Sequence, residues 1–266
     1  MTAVRRGALR VVAYAPRERT RALLRASVPR KAGRVVVART PSALARALRA
    51  ELADAVVVDL GAPSGEPRTT AALARDYPSV AFLGVTPFFP VDAPAIAECA
   101  ALDFADVLAD GVDDAVLAPL LQRHGFTPRF AAALDEPPAA LGLESALQVA
   151  AWRQIVRRGG RTVRTQEIAA ALDVTREHLS RSFAAGAAAT LKRVIDLVRL
   201  LAAAELAKNP GYDLGDVAHL LGYASSSHLS TAAQRLVGTR ASSLSALRAV
   251  DLLERFARGA GRGTRD

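Results

Sequence analysis

The sequence predicts two domains of different fold class, an α/β domain followed by an all-α domain. Over residues 9–136, short runs of β-branched residues alternate with helical stretches, which is typical of a doubly wound parallel sheet with helices on both faces. The alternation stops at Asp135, just before the only double proline of the chain. We therefore expect an α/β domain at residues 1–134, a stiff linker at 135–142, a helical domain at 143–257 and a disordered tail at 258–266.

The α/β domain contains five strand-like runs, each followed by a helical stretch. The third run, Ala-Val-Val-Val-Asp-Leu, is apolar almost throughout, which indicates a strand buried on both faces of the sheet. The five strands are predicted at residues 9–14, 34–38, 55–60, 80–85 and 106–108. The five helices are predicted at residues 17–26, 41–52, 69–76, 94–101 and 113–123.

In the second domain, residues 165–183 predict two short helices joined by a tight turn. The apolar residues are spaced for two helical faces, the first with Ile168, Ala169 and Leu172 and the second with Leu179 and Phe183. Between these faces, Asp173-Val174 leaves too little chain for a loop, and the hydroxyl of Thr175 is placed to cap a new helix. The pattern indicates a helix-turn-helix, and a small helical hairpin of any α domain is the alternative for this stretch alone.

A helix-turn-helix places its second helix in the major groove of DNA. The second helix of this pattern exposes side chains that form hydrogen bonds with bases or phosphates. These are the first candidate DNA-binding residues: Arg176, Glu177, His178, Ser180 and Arg181.

The same pattern occurs again from residue 214, with Gly222-Tyr223 at the position of the turn. Between the copies, residues 190–208 contain neither proline nor glycine and predict one continuous helix. Its 19 residues span about 28 Å, which suits two recognition helices for successive major grooves, where the repeat is about 34 Å. The outward-facing candidates of the second copy are Ser226, Ser227, Ser230, Thr231 and Arg235.

The segment from about residue 165 to residue 244 resembles the DNA-binding domain of AraC/XylS-type transcription regulators. The matches run in one register: Ile168-Ala169, Leu172, Leu179-Ser180-Arg181, Phe183, Arg199, Ala203, Leu206, Val217-Ala218, Leu221-Gly222-Tyr223, Ser227-His228 and Gly238. The chain departs from the family where glycine, two phenylalanines and proline are usual, at Ala188, Leu229, Ala233 and Ala241. Because the second copy is also poor in cations, we expect the first copy to dominate specific contact and the second to grip the DNA backbone.

The α/β domain resembles a response-regulator receiver domain, with Asp59 at the end of the third strand, where receivers carry their phosphate-accepting aspartate. The rest of the receiver site is missing, because Ala13-Tyr14 replaces the acidic pair for Mg²⁺, Gly84 the hydroxyl residue and Asp110 the lysine. Without fixed cations, the charge of a transferring phosphoryl group is not neutralised. We therefore interpret the domain as a pseudo-receiver and expect Asp110 to add repulsion near Asp59. Two roles stay open for Asp59, a structural carboxylate and a phosphoacceptor.

Residues 143–158 predict a helix that packs onto the first helix-turn-helix, with Trp152 as a core anchor. Four arginines at or after its end form a candidate phosphate clamp, and a solvated basic face is the alternative: Arg157, Arg158, Arg161 and Arg164. A last helix is predicted at residues 242–256.

The composition limits the function further. The formal net charge is +9, which favours polyanionic partners. Cys99 is the only cysteine, so no intramolecular disulfide forms, and its apolar neighbours favour an inert core thiol over a redox sensor. The four histidines are not at metal-binding spacing, and there is no phosphate-binding loop or nucleophile elbow. We expect no catalytic residue, no metal and no cofactor.

The sequence therefore predicts a sequence-specific DNA-binding transcription regulator rather than an enzyme. We expect double-stranded DNA as the partner, a homodimer, RNA polymerase as a further candidate partner, and a cytoplasmic, nucleoid-associated location without membrane contact. The pseudo-receiver would serve dimerisation or regulation by protein contacts. The alternatives are a response regulator switched by phosphorylation of Asp59 and an architectural DNA binder without sequence preference.

Overall fold

The computed structural model describes residues 8–62, 66–184 and 189–260. The described chain divides into two compact units. The N-terminal unit runs to Arg129 and also includes Asn209–Tyr212, and the C-terminal unit comprises Phe130–Lys208 and the chain from Asp213. Ala188 and the tail beyond residue 260 lie outside the described residues, and the domain and linker bounds stay predictions.

The N-terminal unit is built on a parallel sheet of five strands in the order β2-β1-β3-β4-β5. The strands are β1 (Leu9–Tyr14), β2 (Gly33–Ala38), β3 (Ala55–Asp59), β4 (Ala81–Thr86) and β5 (Asp106–Ala109). All five residues of β3 are buried, as its run of valines predicts. This strand order is that of the flavodoxin-like doubly wound fold, and it confirms the predicted receiver-like architecture.

The helices of this sequence region follow the predicted alternation with differences at their ends. They are α1 (Glu18–Ser27), α2 (Pro41–Ala50), α3 (Glu66–Ala72) with a 3-10 helix at Leu73–Asp76, a 3-10 helix at Pro90–Asp92, α4 (Ala93–Ala101), α5 (Leu117–His124) and α6 (Phe126–Ala133). The prediction of a helix from residue 113 is wrong, because the carboxylates of Asp113 and Asp114 accept the N–H groups of Ala109 and Gly111 in a turn.

The sequence analysis missed α6, whose first turn is capped by a distant residue. Buried Asp54 accepts the N–H of Phe126 with its main-chain oxygen at 2.8 Å and the N–H of Thr127 with its carboxylate at 2.9 Å. A cap from a residue more than 70 positions away leaves no local sequence signal.

The rest of the described chain is helical. It contains α7 (Ala146–Val156), α8 (Thr165–Ala171), α9 (Arg176–Ala184), α10 (Leu191–Leu206), α11 (Leu214–Leu220), α12 (Ser226–Val237) and α13 (Ala249–Ala260), with 3-10 helices at Ala139–Leu141 and Ala241–Ala246. The spacer α10 has 16 residues, about 24 Å, and is shorter than predicted. Trp152 is the expected core anchor, since it is fully buried and its indole N–H donates to the Leu134 carbonyl at 2.7 Å.

The prediction of one final helix at residues 242–256 is wrong. Leu247 has an extended backbone between the 3-10 helix and α13, and the Asp251 carboxylate accepts the N–H of Arg248 at 2.9 Å at the start of α13. Helix α13 packs against α10 and α12, with Phe256 fully buried and the Arg193 guanidinium 5.2 Å from the centre of its ring.

Candidate nucleic-acid interface and the Asp59 site

The two helix-turn-helix units have the same turn geometry. The residue after the C-cap of the first helix is left-handed in both, Asp173 with φ 55° and Gly222 with φ 70°. In each turn the next residue returns an N–H to the first helix, from Val174 to Ala169 at 3.0 Å and from Tyr223 to Ala218 at 2.8 Å. The two units are therefore structural repeats as well as sequence repeats.

The second helix of each unit begins at a hydroxyl cap. The Thr175 hydroxyl accepts the N–H of His178 at 3.1 Å, and the Ser225 hydroxyl accepts the N–H of His228 at 3.1 Å. The chain from the left-handed residue to the cap is one residue longer in the second unit. Capping satisfies an N–H group that helix formation leaves free, so each candidate recognition helix starts at a defined residue.

The first recognition helix, α9, has one buried face and one exposed polar face. Leu179 and Phe183 are buried, and all five candidate residues of this helix are exposed: Arg176, Glu177, His178, Ser180 and Arg181. Within the described part of the chain, neither Arg176 nor Arg181 forms an ion pair, so both guanidinium groups are available to a ligand.

The second recognition helix, α12, presents hydroxyl groups instead. Ser226, Ser227 and Thr231 are exposed, and Ser230 is half-buried. Arg235 is exposed, but its guanidinium pairs with Asp196 on α10 at 3.3 Å. An exposed pair of this kind contributes little stability and is screened by salt, so a phosphate can replace the carboxylate.

Arg199 on α10 contacts the turn of the second helix-turn-helix and stabilises it. Its Nε–H donates to the Leu221 carbonyl at 2.8 Å, and its guanidinium lies 3.7 Å from the ring centre of Tyr223. The Thr162 hydroxyl donates to the same carbonyl at 3.4 Å. Burial raises the pKa of Tyr223 to about 12. The sequence marked Arg199 and Tyr223 as family matches without showing that they contact each other.

The candidate phosphate clamp follows α7. Arg158 and Arg164 are exposed, and Arg157 and Arg161 are half-buried. The turn before Arg161 requires glycine at position 160, since its φ is 79° and a Cβ atom there would lie 2.2 Å from the Cβ of Ala202 on α10. The close approach fixes the clamp segment against the spacer helix.

In the N-terminal unit, Asp59 is fully buried and engaged by Arg17. The Arg17 Nε and Nη2 atoms lie 2.7 Å and 2.6 Å from Asp59 Oδ1, and the Arg17 main-chain N–H donates to Oδ2 at 3.3 Å. The Nη1 atom of the same guanidinium lies 3.2 Å from an Asp110 oxygen. Asp110 also pairs with Arg19 at 2.8 Å.

The repulsion that Asp110 would exert on a phosphate near Asp59 stays a prediction, but the sequence analysis missed the cation that lies between the two carboxylates. The Arg17 guanidinium lies between the two carboxylates and neutralises part of their charge. Gly61 leaves room for it, because a Cβ atom there would lie 2.9 Å from Arg17 Cζ and 2.5 Å from Pro87 Cδ. Arg17 follows β1 at the carboxyl edge of the sheet, where Asp59 also ends its strand, and this shared edge was the signal that the sequence analysis missed.

One further polar group at the end of a strand is also engaged. The hydroxyl of buried Thr86, at the end of β4, donates to the Asp92 carboxylate at 2.8 Å. Among the described residues, no group of three histidine, cysteine or acidic side chains is arranged to hold a metal ion. None of the described helices is long and apolar enough to cross a membrane.

Comparison with known proteins identifies the recognition region. Residues 168–246 match the family model described as a helix-turn-helix domain, and they form a helix-turn-helix domain of the AraC type. This domain supports DNA binding and transcription regulation.

Among solved structures, the chain is similar to full-length FixJ from B. japonicum, with 16% sequence identity, a TM-score of 0.36, and coverage of 86% of this chain and 96% of that chain. No curated protein matches the chain.

Proposed function

We propose that this chain is a sequence-specific DNA-binding transcription regulator whose first helix-turn-helix reads the bases. The observation that carries the proposal is the pair of capped helix-turn-helix units at the ends of α10, with exposed Arg176 and Arg181 on the first recognition helix. Arginine forms paired hydrogen bonds with guanine in the major groove, so it is suited to base recognition. The direct contacts are assigned to Arg176, Glu177, His178, Ser180 and Arg181.

The second helix-turn-helix is proposed to bind the DNA backbone. Its helix offers Ser226, Ser227, Ser230 and Thr231, whose hydroxyls bind phosphate without strong sequence preference, and Arg235 in an exchangeable ion pair. The clamp arginines are assigned to phosphates because of their charge and their clustering after α7: Arg157, Arg158, Arg161 and Arg164.

The N-terminal unit is proposed to be a pseudo-receiver that acts through protein contacts, with no enzymatic activity and no cofactor. The support is the engagement of Asp59 by Arg17, because phosphorylation would have to displace a guanidinium from a buried carboxylate. Homodimerisation is the simplest such contact, since twofold dimers are the commonest oligomers. RNA polymerase is a second candidate partner, and a cytoplasmic, nucleoid-associated location follows from the proposed DNA binding.

Selection from a random DNA pool tests the proposed function. The full chain should enrich one motif, and its affinity should fall with increasing salt as phosphate contacts are lost to counterions. A flat profile with retained affinity would replace the proposal with an architectural DNA binder, which the polar second recognition helix otherwise favours. Light scattering of the full chain should show a dimer, and a monomer both free and on DNA would contradict the dimerisation proposal.

A further inference from the structure

Four residues from the recognition region are built into the N-terminal unit. Asn209–Tyr212 follow α10 in sequence and cluster with the unit that contains the parallel sheet. Both ends of the Asn209 amide contact Ser79, with Oδ1 accepting its N–H at 2.8 Å and Nδ2 2.6 Å from its hydroxyl. The N–H of Gly211 donates to the Asp76 carbonyl at 2.8 Å.

The rest of the segment is fixed by aromatic packing and further hydrogen bonds. The rings of Tyr212 and Tyr77 meet edge to face with centres 4.9 Å apart, and the Tyr212 hydroxyl donates to the Leu48 carbonyl at 3.2 Å. Arg49 Nε–H donates to the Gly211 carbonyl at 3.2 Å. Position 211 requires glycine, because a Cβ atom there would lie 2.5 Å from the buried ring of Tyr77.

The segment makes up four of the five residues between the C-cap of α10 and the N-cap of α11. Helix α10 is followed by its C-cap Ala207, and α11 is preceded by its N-cap Asp213, whose carboxylate accepts the N–H of Asp216 at 2.7 Å in a capping box. Only Lys208 separates the first cap from Asn209. The conformation of Asn209–Tyr212 therefore sets the direction in which the chain leaves α10 and enters the second helix-turn-helix.

We infer that Asn209–Tyr212 is a conformational latch, held by a surface of the N-terminal unit made of Leu48, Arg49, Asp76, Tyr77 and Ser79. While the segment is held, the connection between α10 and α11 has one shape and the second helix-turn-helix has one orientation relative to the first. Release leaves that orientation to the contacts of the second helix-turn-helix with α10, such as that of Arg199 with the Leu221 carbonyl, and so makes it more variable. DNA that needs both helix-turn-helix units then binds less tightly, whereas DNA that needs only the first is unaffected. The effect on DNA rests on the proposed function, but the holding of the segment does not.

Hydrogen exchange in the full-length protein tests the holding directly. Gly211→Ala forces a methyl group against Tyr77, and Asn209→Ala removes the amide that binds Ser79. Each variant should speed exchange of the N–H groups of Ser79 and residue 211 by about tenfold, the effect expected when one or two such bonds are lost. Gly259→Ala is the matched control, because a Cβ atom there meets only the Leu236 carbonyl, at an ordinary 3.8 Å. Unchanged exchange in both variants would overturn the latch.

DNA binding by the same proteins tests the coupling. Affinity is measured for the DNA motif that the wild type selects and for a truncated DNA that retains only the part covered by the first helix-turn-helix. Gly211→Ala and Asn209→Ala should lose about tenfold in affinity for the full motif, the size of the exchange effect, and nothing on the truncated DNA. Equal affinity on both DNAs for wild type and variants would overturn the coupling. If the wild type selects no motif, the proposed function fails. The hydrogen-exchange measurement then tests by itself whether the N-terminal unit holds Asn209–Tyr212.

Discussion

The guanidinium of Arg17 lies between the carboxylates of Asp59 and Asp110, 2.6 Å from the first and 3.2 Å from the second. Asp59 is fully buried, and an unpaired buried charge is strongly destabilising. A residue of this chain therefore supplies the positive charge that Asp59 requires. This arrangement links the fold of the N-terminal unit to the proposal that its phosphate switch is absent.

Removal of Arg17 should destabilise the protein. Arg17→Ala leaves Asp59 buried without its counter-charge, and breaking a buried ion pair from one side lowers the free energy of unfolding by about 3–5 kcal/mol. Arg19→Ala is the matched control, because Arg19 also pairs with Asp110 but has a side chain that is 53% exposed. Urea unfolding should show a much larger loss for Arg17→Ala than for Arg19→Ala. Equal losses would show that Arg17 does not stabilise Asp59.

Asp59 should not accept a phosphoryl group. A phosphoryl group there would add about two negative charges to a site whose cation is already paired with two carboxylates. Incubation of wild type with acetyl phosphate and Mg²⁺, followed by intact-mass measurement, should show the unmodified mass. A phosphoryl adduct that disappears in Asp59→Asn would restore the phosphorylated-switch alternative.

In the turns of the two helix-turn-helix units, adding a side chain at Gly222 should be costly, whereas removing the side chain of Asp173 should not. Gly222→Ala places a Cβ atom at φ 70° and 2.6 Å from the Thr162 hydroxyl, and the left-handed backbone alone costs about 1–2 kcal/mol. Asp173→Gly at φ 55° removes a side chain from the same conformation in the first unit. Thermal unfolding should show a lower Tm for Gly222→Ala and a near-unchanged Tm for Asp173→Gly. A lower Tm for both variants would mean that the two turns are not equivalent.

Cys99 should behave as an inert core thiol. Burial raises its pKa from 9.0 to about 11, with a smaller contribution from Glu98. The folded state therefore binds the Cys99 thiol proton more tightly than the unfolded state does. The stability that this protonation contributes is fully present below pH 9 and is lost as the pH rises from 9 to 11. Alkylation by iodoacetamide at pH 8 should be at least about 100-fold slower in the folded protein than in urea. Comparable rates in both states would contradict the buried position, and Cys99→Ala should lack the stability loss over this pH range.

The sequence predicted the features that depend on local patterns. The five strands, the double helix-turn-helix and the cap Thr175 all follow from the spacing of apolar and hydroxyl residues. The features that the sequence analysis missed depend on contacts between residues that are distant in sequence. The cap that Asp54 provides for α6, the approach of Gly160 to Ala202 and the pairing of Arg17 with Asp59 leave no periodic signal along the chain.

The central claim is that the first helix-turn-helix reads the DNA sequence. The most direct test is selection from random DNA by wild type, Arg176→Ala and Arg181→Ala, with Arg235→Ala as the control on the second recognition helix. Loss of one arginine–base contact should cost about 1–3 kcal/mol and relax the preference at that base pair. Arg235→Ala should weaken binding evenly across sequences and reduce the salt dependence. An unchanged motif and affinity in both Arg176→Ala and Arg181→Ala would contradict the account.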